Sequence, residues 1–168
     1  LKLIADIDHS KLAAKTAAYM PPARVIIFSN IELEIRLLKE NQLLGIDLPF
    51  KVLAYEDTEG NPSAIYNSYD YLTSRYNLQD EPELLAAHHQ IYKQALKEID
   101  KSKFKTFSND SMNPDGIITI DSIYDFKTTV ERIHQAINAQ EDTIEFGDID
   151  YQLKAADLGE KIRPTTMI

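Results

Sequence analysis

The chain has 168 residues, a formal net charge of −9 and no cysteine, and 43% of its residues are hydrophobic. That hydrophobic share is enough for a buried core in a globular domain, whereas the acidic balance argues against a nucleic-acid partner, which needs clustered Lys and Arg. A chain without cysteine has neither disulfides nor thiolate metal ligands. No apolar run approaches the ~20 residues that span a bilayer, so no membrane insertion is expected in this sequence.

The start of the chain alternates between strand and helix patterns. Residues 2–7 alternate loosely and predict a strand, and the Ala- and Lys-rich residues 10–18 predict a helix. Pro21 and Pro22 end that helix, because proline is not tolerated in a helix interior. The apolar, β-branched run at residues 24–28 then predicts a buried strand.

A second helix follows this strand, and both of its ends carry signals. Ser29 or Asn30 is placed to cap its N-terminus, and Gly45 is a candidate C-terminal cap. Apolar residues recur along one side at helical spacing, with Glu34 as a charged exception at the edge of that face.

The middle of the chain predicts a hairpin and two further helices. Strand patterns at residues 50–55 and 63–67 flank a polar turn, and residues 69–76 predict a short helix. A longer helix follows, with Asp80 as its expected cap and Pro82 in its first turn, where the missing N–H costs nothing. Its predicted apolar face consists of Leu84, Leu85, His88, Ile91, Tyr92, Ala95 and Ile99.

The end of the chain predicts another α/β unit after a polar loop at residues 101–115. Residues 117–120 predict a strand, and Ser122 is the expected cap of a strongly amphipathic helix. Residues 143–149 and 165–168 predict two more strands around a short Ala-rich helix. The apolar stripe of the amphipathic helix consists of Phe126, Val130, Ile133 and Ile137.

A stretch near the start of the chain returns near its end. Residues 5–26 align without gaps with residues 147–168, and seven of the 22 positions are identical. Because the copies sit at opposite ends, the chain is interpreted as the back of one domain joined to the front of another. The expected organisation is a first repeat at 1–79, a connector helix and loop at 80–115 and a second repeat at 116–168.

Several motifs are shared with a known family. They include Asp6-Ile7-Asp8-His9, the run from Arg24 to Asn30, and Leu44-Gly45-Ile46-Asp47-Leu48-Pro49 before a strand. With them, the chain resembles a bacterial family known only as domain of unknown function 302. The resemblance implies an α+β sandwich of TATA-binding-protein-like topology, with a mostly antiparallel sheet and helices on one face. It also implies a tendency to pair as dimers or as tandem repeats, and no established reaction. No cofactor is expected.

The chain departs from that family at two points. Tyr151 stands in the second copy where the first has His9, so the fold does not need the imidazole. Ser29-Asn30-Ile31-Glu32 replaces a Gly- and Pro-rich segment, which removes support for a phosphate-cradling role there.

Asp6, Asp8 and His9 form the best chemical cluster in the sequence. Strand alternation puts Asp6 and Asp8 on one side, and a carboxylate that orients an imidazole is how a general base is tuned. In the alternative interpretation, Asp8 caps the next helix and Asp6 is exposed. Both interpretations fit the persistence of the two acids as Asp148 and Asp150.

Tyr66, Tyr69 and Tyr71 lie beside the hairpin as a second candidate site. They are interpreted either as a ligand-binding or dimer patch, since tyrosine is enriched at interfaces, or as half-buried packing. His88 and His89 are the other paired histidines, but adjacent helix positions point about 100° apart. They are therefore interpreted as core or surface residues, and no metal site is expected.

Two functional hypotheses follow. The first is a non-catalytic module that binds a small molecule or a protein or associates with itself, with the strands of residues 116–149 completing one sheet with residues 25–76, within the chain or by exchange. The alternative is a hydrolase or isomerase that uses His9 with Asp6 or Asp8 as acid and base. The compartment, cytoplasm or periplasm, stays open, because the sequence begins without Met and a signal peptide could lie upstream.

Overall fold

Four antiparallel strands in the order β1-β2-β3-β4 form the main sheet. The computed structural model describes residues 1–79, 81–99, 116–141, 143 and 147–168. The neighbouring pairs Ile26–Val52 and Phe28–Phe50 place four apolar side chains on one face of this sheet. The strands are β1 (Lys2–Asp8), β2 (Ala23–Ser29), β3 (Phe50–Glu56) and β4 (Pro62–Ile65).

The described helices lie between these strands and after them. A second, separate sheet consists of β5 (Ile149–Asp150) and β6 (Thr166–Met167), which pair in antiparallel fashion on either side of a short helix. The helices are α1 (His9–Lys15), α2 (Ile31–Glu40), a 3-10 helix (Gln42–Ile46), α3 (Tyr69–Tyr76), α4 (Pro82–Ala95), α5 (Phe126–Asn138) and α6 (Tyr151–Asp157).

Side-chain oxygens fix the start of most of these helices. Asp8, Asn30, Ser68, Asp125 and Asp150 each accept a hydrogen bond from the backbone N–H three residues further on. Each cap satisfies an N–H that the helix itself leaves unpaired, and such a cap contributes roughly 1 kcal/mol. The alternation of strand and capped helix seen in the sequence therefore has a local physical cause.

Helix α4 packs its aromatic side chains against the main sheet. The Tyr92 ring meets Phe28 edge to face with centroids 5.8 Å apart, and His88 meets Phe50 in the same way at 5.8 Å. Tyr66 stacks on the other side of Tyr92 at 4.0 Å. These contacts join the sheet to α4, and buried side chains of α2 belong to the same core. Its largest fully buried members are Tyr151, Ile35, Leu37, Leu44, Leu48, Leu84 and His88.

The α+β class and the antiparallel sheet agree with the sequence prediction. Helix α3 has the predicted bounds, and Asn30 is one of the two caps that were predicted for α2. Pro82 lies in the first turn of α4 as expected. Asp80 and the polar loop at residues 101–115 lie outside the described residues.

Several predicted boundaries were wrong. Gly45 does not cap α2, because the helix ends at Glu40 and Gly45 lies within the 3-10 helix that follows. Residues 117–120 form no strand. Asp125 caps α5 in place of Ser122, whose hydroxyl bonds Thr129 instead.

The prediction of one completed sheet within the chain was also wrong. Strands β5 and β6 pair with each other and do not extend the four-stranded sheet. Helix α5 buries none of its residues, and Ile133 remains 43% exposed. Of the predicted strand at residues 143–149, the structure assigns Ile149 to a strand, while residues 144–146 lie outside the described residues.

Candidate functional site

Two strand-helix-strand corners at opposite ends of the chain have the same local structure. In the first corner Asp8 pairs with Arg24, and in the second corner Asp150 pairs with Thr166. Asp150 lies 142 positions after Asp8, and Thr166 lies 142 positions after Arg24. The strand register is therefore identical in the two corners. Asp8 accepts from the third N–H of α1, and Asp150 accepts from the third N–H of α6.

The helices of the two corners also end in the same way. Past α1, the N–H of Ala18 bonds the carbonyl of Ala13 at 3.1 Å; past α6, the N–H of Glu160 bonds the carbonyl of Ala155 at 2.8 Å. The residue before each donor has a left-handed backbone, with φ of 57° at Ala17 and 73° at Gly159. This is the geometry of a helix stop that closes the last free carbonyls.

The second corner packs against helix α2. Tyr151 and Ala155, one helical turn apart on α6, are both fully buried. The Tyr151 hydroxyl interacts with the carboxyl of Glu34, which is itself fully buried on α2. Their geometry is looser than that of a regular hydrogen bond, and neither Oε2 of Glu34 nor the hydroxyl has another hydrogen-bond partner among the described residues.

Burial dominates the electrostatics of Glu34. It raises the pKa of this carboxyl to about 7, although the Ser29 hydroxyl, the Asn30 N–H and the Tyr151 hydroxyl favour the ionised form. The Asn30 N–H donates to Oε1 at 2.9 Å, which ties the acid to the start of its own helix. Burial and the nearby Glu34 also raise the pKa of Tyr151. The pair is thus a titratable contact inside a packed interface.

Polar contacts surround this buried pair. Lys39 forms an ion pair with Glu160 just past α6. The side-chain amide of Gln42 donates to the carbonyl of Pro164 at 2.8 Å and to the Thr165 hydroxyl at 2.7 Å. Together with Glu34, Tyr151 and Ala155, these residues define what we call the α6–α2 interface.

The first corner has no such cover. His9 and Ala13, the counterparts of Tyr151 and Ala155, are half-buried, and none of the residues of α1 is buried. Leu12 on the same helix is 37% exposed. The two corners therefore differ in that only the second has a helix, α2, packed against it among the described residues.

The two predicted acids of the first corner have partners other than His9. Asp6 accepts two hydrogen bonds of 2.6 Å from the Arg24 guanidinium, and these hold its pKa below the usual value. Asp8 accepts from the Ser10 hydroxyl at 2.7 Å, which is the main reason its pKa falls to about 2. Asp8 also accepts from the Lys11 N–H at 3.0 Å, which confirms the capping interpretation of Asp8.

No hydrogen bond joins His9 to either acid among the described residues, so the structure does not bring together the pair that acid–base chemistry requires. A shallow groove lies beside Asp8, and His9 is not among the residues that line it. The groove is lined by Asp8, Ser10, Pro22, Ala23, Arg24, Ala54, Tyr55, Glu56, Gly60, Pro62 and Ser63.

The three candidate tyrosines belong to the packed part of the molecule. Tyr69 is 2% exposed and faces His88, with ring centroids 5.7 Å apart. Tyr66 is half-buried in its stack with Tyr92, and Tyr71 accepts a 2.6 Å hydrogen bond from Arg75. These contacts correspond to the packing interpretation rather than to an open ligand patch.

Two polar residues, the buried Glu34 and the partly buried Asp47, were not chosen as site candidates from the sequence. Asp47 accepts hydrogen bonds from the Asn67 amide at 3.0 Å and the Tyr76 hydroxyl at 2.6 Å. The signal for Asp47 was its place in the Leu-Gly-Ile-Asp-Leu-Pro motif, and the signal for Glu34 was a charge on an apolar helix face. Neither signal indicates which partner the residue meets.

The histidines give no metal site in the described part of the chain. His88 is fully buried, whereas its neighbour His89 is exposed. Within the described ranges, no group of three or more His, Asp or Glu side chains is arranged to hold a metal ion. Nor does any helix in those ranges have both the length and the apolar character for crossing a membrane.

Comparison with known proteins identifies the family. The family model "Domain of unknown function DUF302" matches residues 1–101. The chain belongs to the DUF302 family. The predicted family is therefore confirmed.

Curated and solved relatives of this DUF302 chain cover only parts of it. "Fluoride-specific ion channel FluC 1" of Brucella suis biovar 1 and "Fluoride-specific ion channel FluC 2" of Brucella melitensis biotype 1 are each 30% identical to it over 78 residues, or 46% of the chain. The chain spans about a third of their length, 31% and 29%. A crystal structure of an uncharacterized conserved DUF302 protein from Bacillus stearothermophilus has a TM-score of 0.44 and 20% identity, and covers 56% of this chain and 72% of the other.

Proposed function

We propose that this DUF302 chain is a non-catalytic pairing module, in which the strand-helix-strand corner of one α+β unit packs against the α2 helix of another. The observation that supports this function is the complete burial of Tyr151 and Ala155 against Glu34. A small residue at 155 lets the helices approach closely, and Tyr151 fills the space beside it. The two units would then be repeats of one fold, as the shared register and helix stop suggest.

The first corner fits the same proposal as the unpaired half of the module. His9 and Ala13 occupy the positions of Tyr151 and Ala155, and they lie on a helix with no buried residue. In this proposal, α1 receives an α2-type helix from another unit of the family. His9 then acts as a pairing residue, and its imidazole has no catalytic role.

The proposal is tested by placing a charge in the α6–α2 interface. Ala155→Glu introduces a carboxylate into a fully buried site, and we expect it to detach the second corner and destabilise the protein by several kcal/mol. Leu153→Glu on the same helix is the matched control, because Leu153 is 56% exposed. Surface substitutions of that kind usually stay within about 0.5 kcal/mol.

Hydrogen exchange of the α2 amides gives the second readout. If the corner is a pairing element, the α2 amides lose protection in Ala155→Glu and keep it in Leu153→Glu. Equal stability and equal α2 protection in the two variants would contradict the proposal, because the buried contact would then contribute nothing to the pairing of the units.

A further inference from the structure

The α6–α2 interface contains a buried acid with no cation beside it among the described residues. Glu34 on α2 is fully buried, and so is Tyr151, which faces it from α6. The Ser29 hydroxyl and the Asn30 N–H supply its other polar contacts, and neither of these groups carries a charge. Because a buried charge needs a partner, the interface accommodates the neutral acid much better than the carboxylate.

Two tyrosines are the titratable groups that act on Glu34 across the packing. Tyr151 does so from α6 and Tyr92 from α4, and burial raises the pKa of each phenol further above neutrality. The ion pair of Lys39 with Glu160 lies at the rim, where both side chains are more than a third exposed, so it contributes little. Glu34 is therefore the group that changes its charge inside the interface near neutral pH.

The second corner depends on this interface for its structure. Its two strands contain two residues each, and α6 contains seven. A helix shorter than about 12 residues and an isolated two-stranded ribbon are both marginal in water. The main sheet, in contrast, has its own core, in which Phe28 and Phe50 pack against α4. The corner can therefore open while the rest of the fold stays closed.

Opening the second corner returns Glu34 to water and so changes its affinity for protons. Burial raises the pKa of Glu34 to about 7, from an ordinary value of 4.5. The docked state therefore binds the proton more tightly than the open state. Docking is strongest below pH 4.5, and the docking constant falls about tenfold per pH unit until the pH passes 7, by up to about 300-fold in total.

We propose that the second corner is a pH-controlled latch on α2, which stays docked while Glu34 is protonated and opens far more often when ionised Glu34 lies unpaired beneath Tyr151. This inference rests on the proposed pairing function and adds the way in which the pairing is controlled. Acid keeps the two units together, and a pH above 7 uncovers the α2 face that α6 occupies.

Single cysteines report the opening, because the chain has no cysteine of its own. Ala155→Cys places a thiol in the buried interface, and Leu153→Cys, at a position 56% exposed on the same helix, is the matched control. The ratio of their alkylation rates cancels the ionisation of the thiol itself. We expect this ratio to rise about tenfold per pH unit from about pH 5 and to level off above pH 7. With Glu34→Gln added to both chains, the ratio should stay low at every pH.

The possible results separate this inference from the function on which it rests. A low ratio that does not change with pH would overturn the pH control and leave the pairing intact. A ratio near one at every pH would overturn both, because the interface would then be open throughout. Val52→Cys, in the main sheet, should stay protected. If it reacted in step with Ala155→Cys, the whole protein would be opening, and the latch would be ruled out.

Hydrogen exchange checks the same opening without a cysteine in a tight site. After correction for the intrinsic pH dependence of exchange, we expect the α6 amides to lose protection between about pH 5 and pH 7 in the parent chain and to keep it in Glu34→Gln. The amides of β2 and β3 should stay protected in both proteins. Loss of α6 protection to the same extent in Glu34→Gln would contradict the latch, because the opening would not depend on the Glu34 charge.

Discussion

Ala17 and Gly159 hold the same left-handed position after two equivalent short helices, with φ of 57° and 73°. Only glycine adopts this conformation without steric strain between Cβ and the backbone. The second corner thus has the residue that the helix stop favours, and the first corner has a strained alanine in its place. We therefore predict how a substitution at this position changes the stability of the protein in each corner.

Ala17→Gly is expected to stabilise the protein by about 0.5–1 kcal/mol, since it relieves the strain at the end of α1. Gly159→Ala is expected to destabilise it by a similar or larger amount. Urea unfolding measures both changes. Ala18→Gly, one residue further on, is the control and should give no gain, because Ala18 is not in the left-handed region. If Ala17→Gly were no more stable to urea than Ala18→Gly, the left-handed conformation of Ala17 would not destabilise the folded protein.

Glu34 is expected to make the protein less stable as the pH rises. Its pKa is about 7 in the folded protein and 4.5 as the ordinary value. The folded state therefore binds the proton more tightly, and the stabilisation present below pH 4.5 is lost as the pH rises through 7. A displacement of this size corresponds to an effect on the order of 3 kcal/mol.

Glu34→Gln removes the titrating group and keeps its shape. We expect the variant to be more stable than the parent at pH 8 and to lose the fall in stability between pH 4.5 and 7. Denaturant unfolding across the pH range measures this. Glu32→Gln, on the exposed side of the same helix, should leave the pH profile as it is in the parent. An unchanged profile in Glu34→Gln would mean that folding does not shift the pKa of Glu34.

His88 is expected to act in the opposite direction. Burial, followed by the charge of the neighbouring His89, lowers the pKa of His88 to about 4 from 6.5. The stability contributed by neutral His88 is present above pH 6.5 and is lost as the pH falls through 4. His88→Phe, which keeps an aromatic ring against Phe50, should flatten the rise in stability between pH 4 and 6.5. His89→Gln, at an exposed position, should keep most of that rise.

The local patterns of the sequence were sufficient for the elements that are stabilised locally. Asn30 and Pro82 mark helix starts through their own hydrogen-bonding chemistry, and α3 was predicted with its observed bounds. Gly45 failed as a cap because a helix end depends on packing as well as on glycine. The strand at residues 117–120 failed because an apolar run pairs only where a neighbouring strand is available.

Local sequence patterns do not predict the contacts of the candidate site. The equivalence of His9 and Tyr151 was visible as an alignment, but only the packing of α6 on α2 reveals that one position is covered and the other is not. Glu34 appeared as a charge at the edge of an apolar face, and its partner lies more than a hundred residues away. Long-range contacts of this kind depend on topology, which periodicity does not encode.

Asp47 joins the end of the 3-10 helix to α3, and we expect its removal to lower the free energy of unfolding. Its side chain is 14% exposed, and it accepts from Asn67 at 3.0 Å and from Tyr76 at 2.6 Å. Asp47→Ala leaves both donors without their acceptor, so we expect a loss of about 2–4 kcal/mol in unfolding free energy. Asp70→Ala, at an exposed position on α3, is the control and should cost far less, since no side chain depends on the Asp70 carboxylate in the described contacts.

A double-mutant cycle measures the hydrogen bond between the Tyr76 hydroxyl and Asp47 separately from other effects of the substitutions on the fold. Tyr76→Phe removes the donor, and its combination with Asp47→Ala should be less destabilising than the sum of the two single changes. We expect a coupling of about 1–2 kcal/mol, because the bond joins a hydroxyl to a charged acceptor in a half-buried setting. Urea unfolding of the four proteins measures the coupling. Simple additivity would show that Asp47 stabilises the fold through its other partners, Asn67 and Arg75.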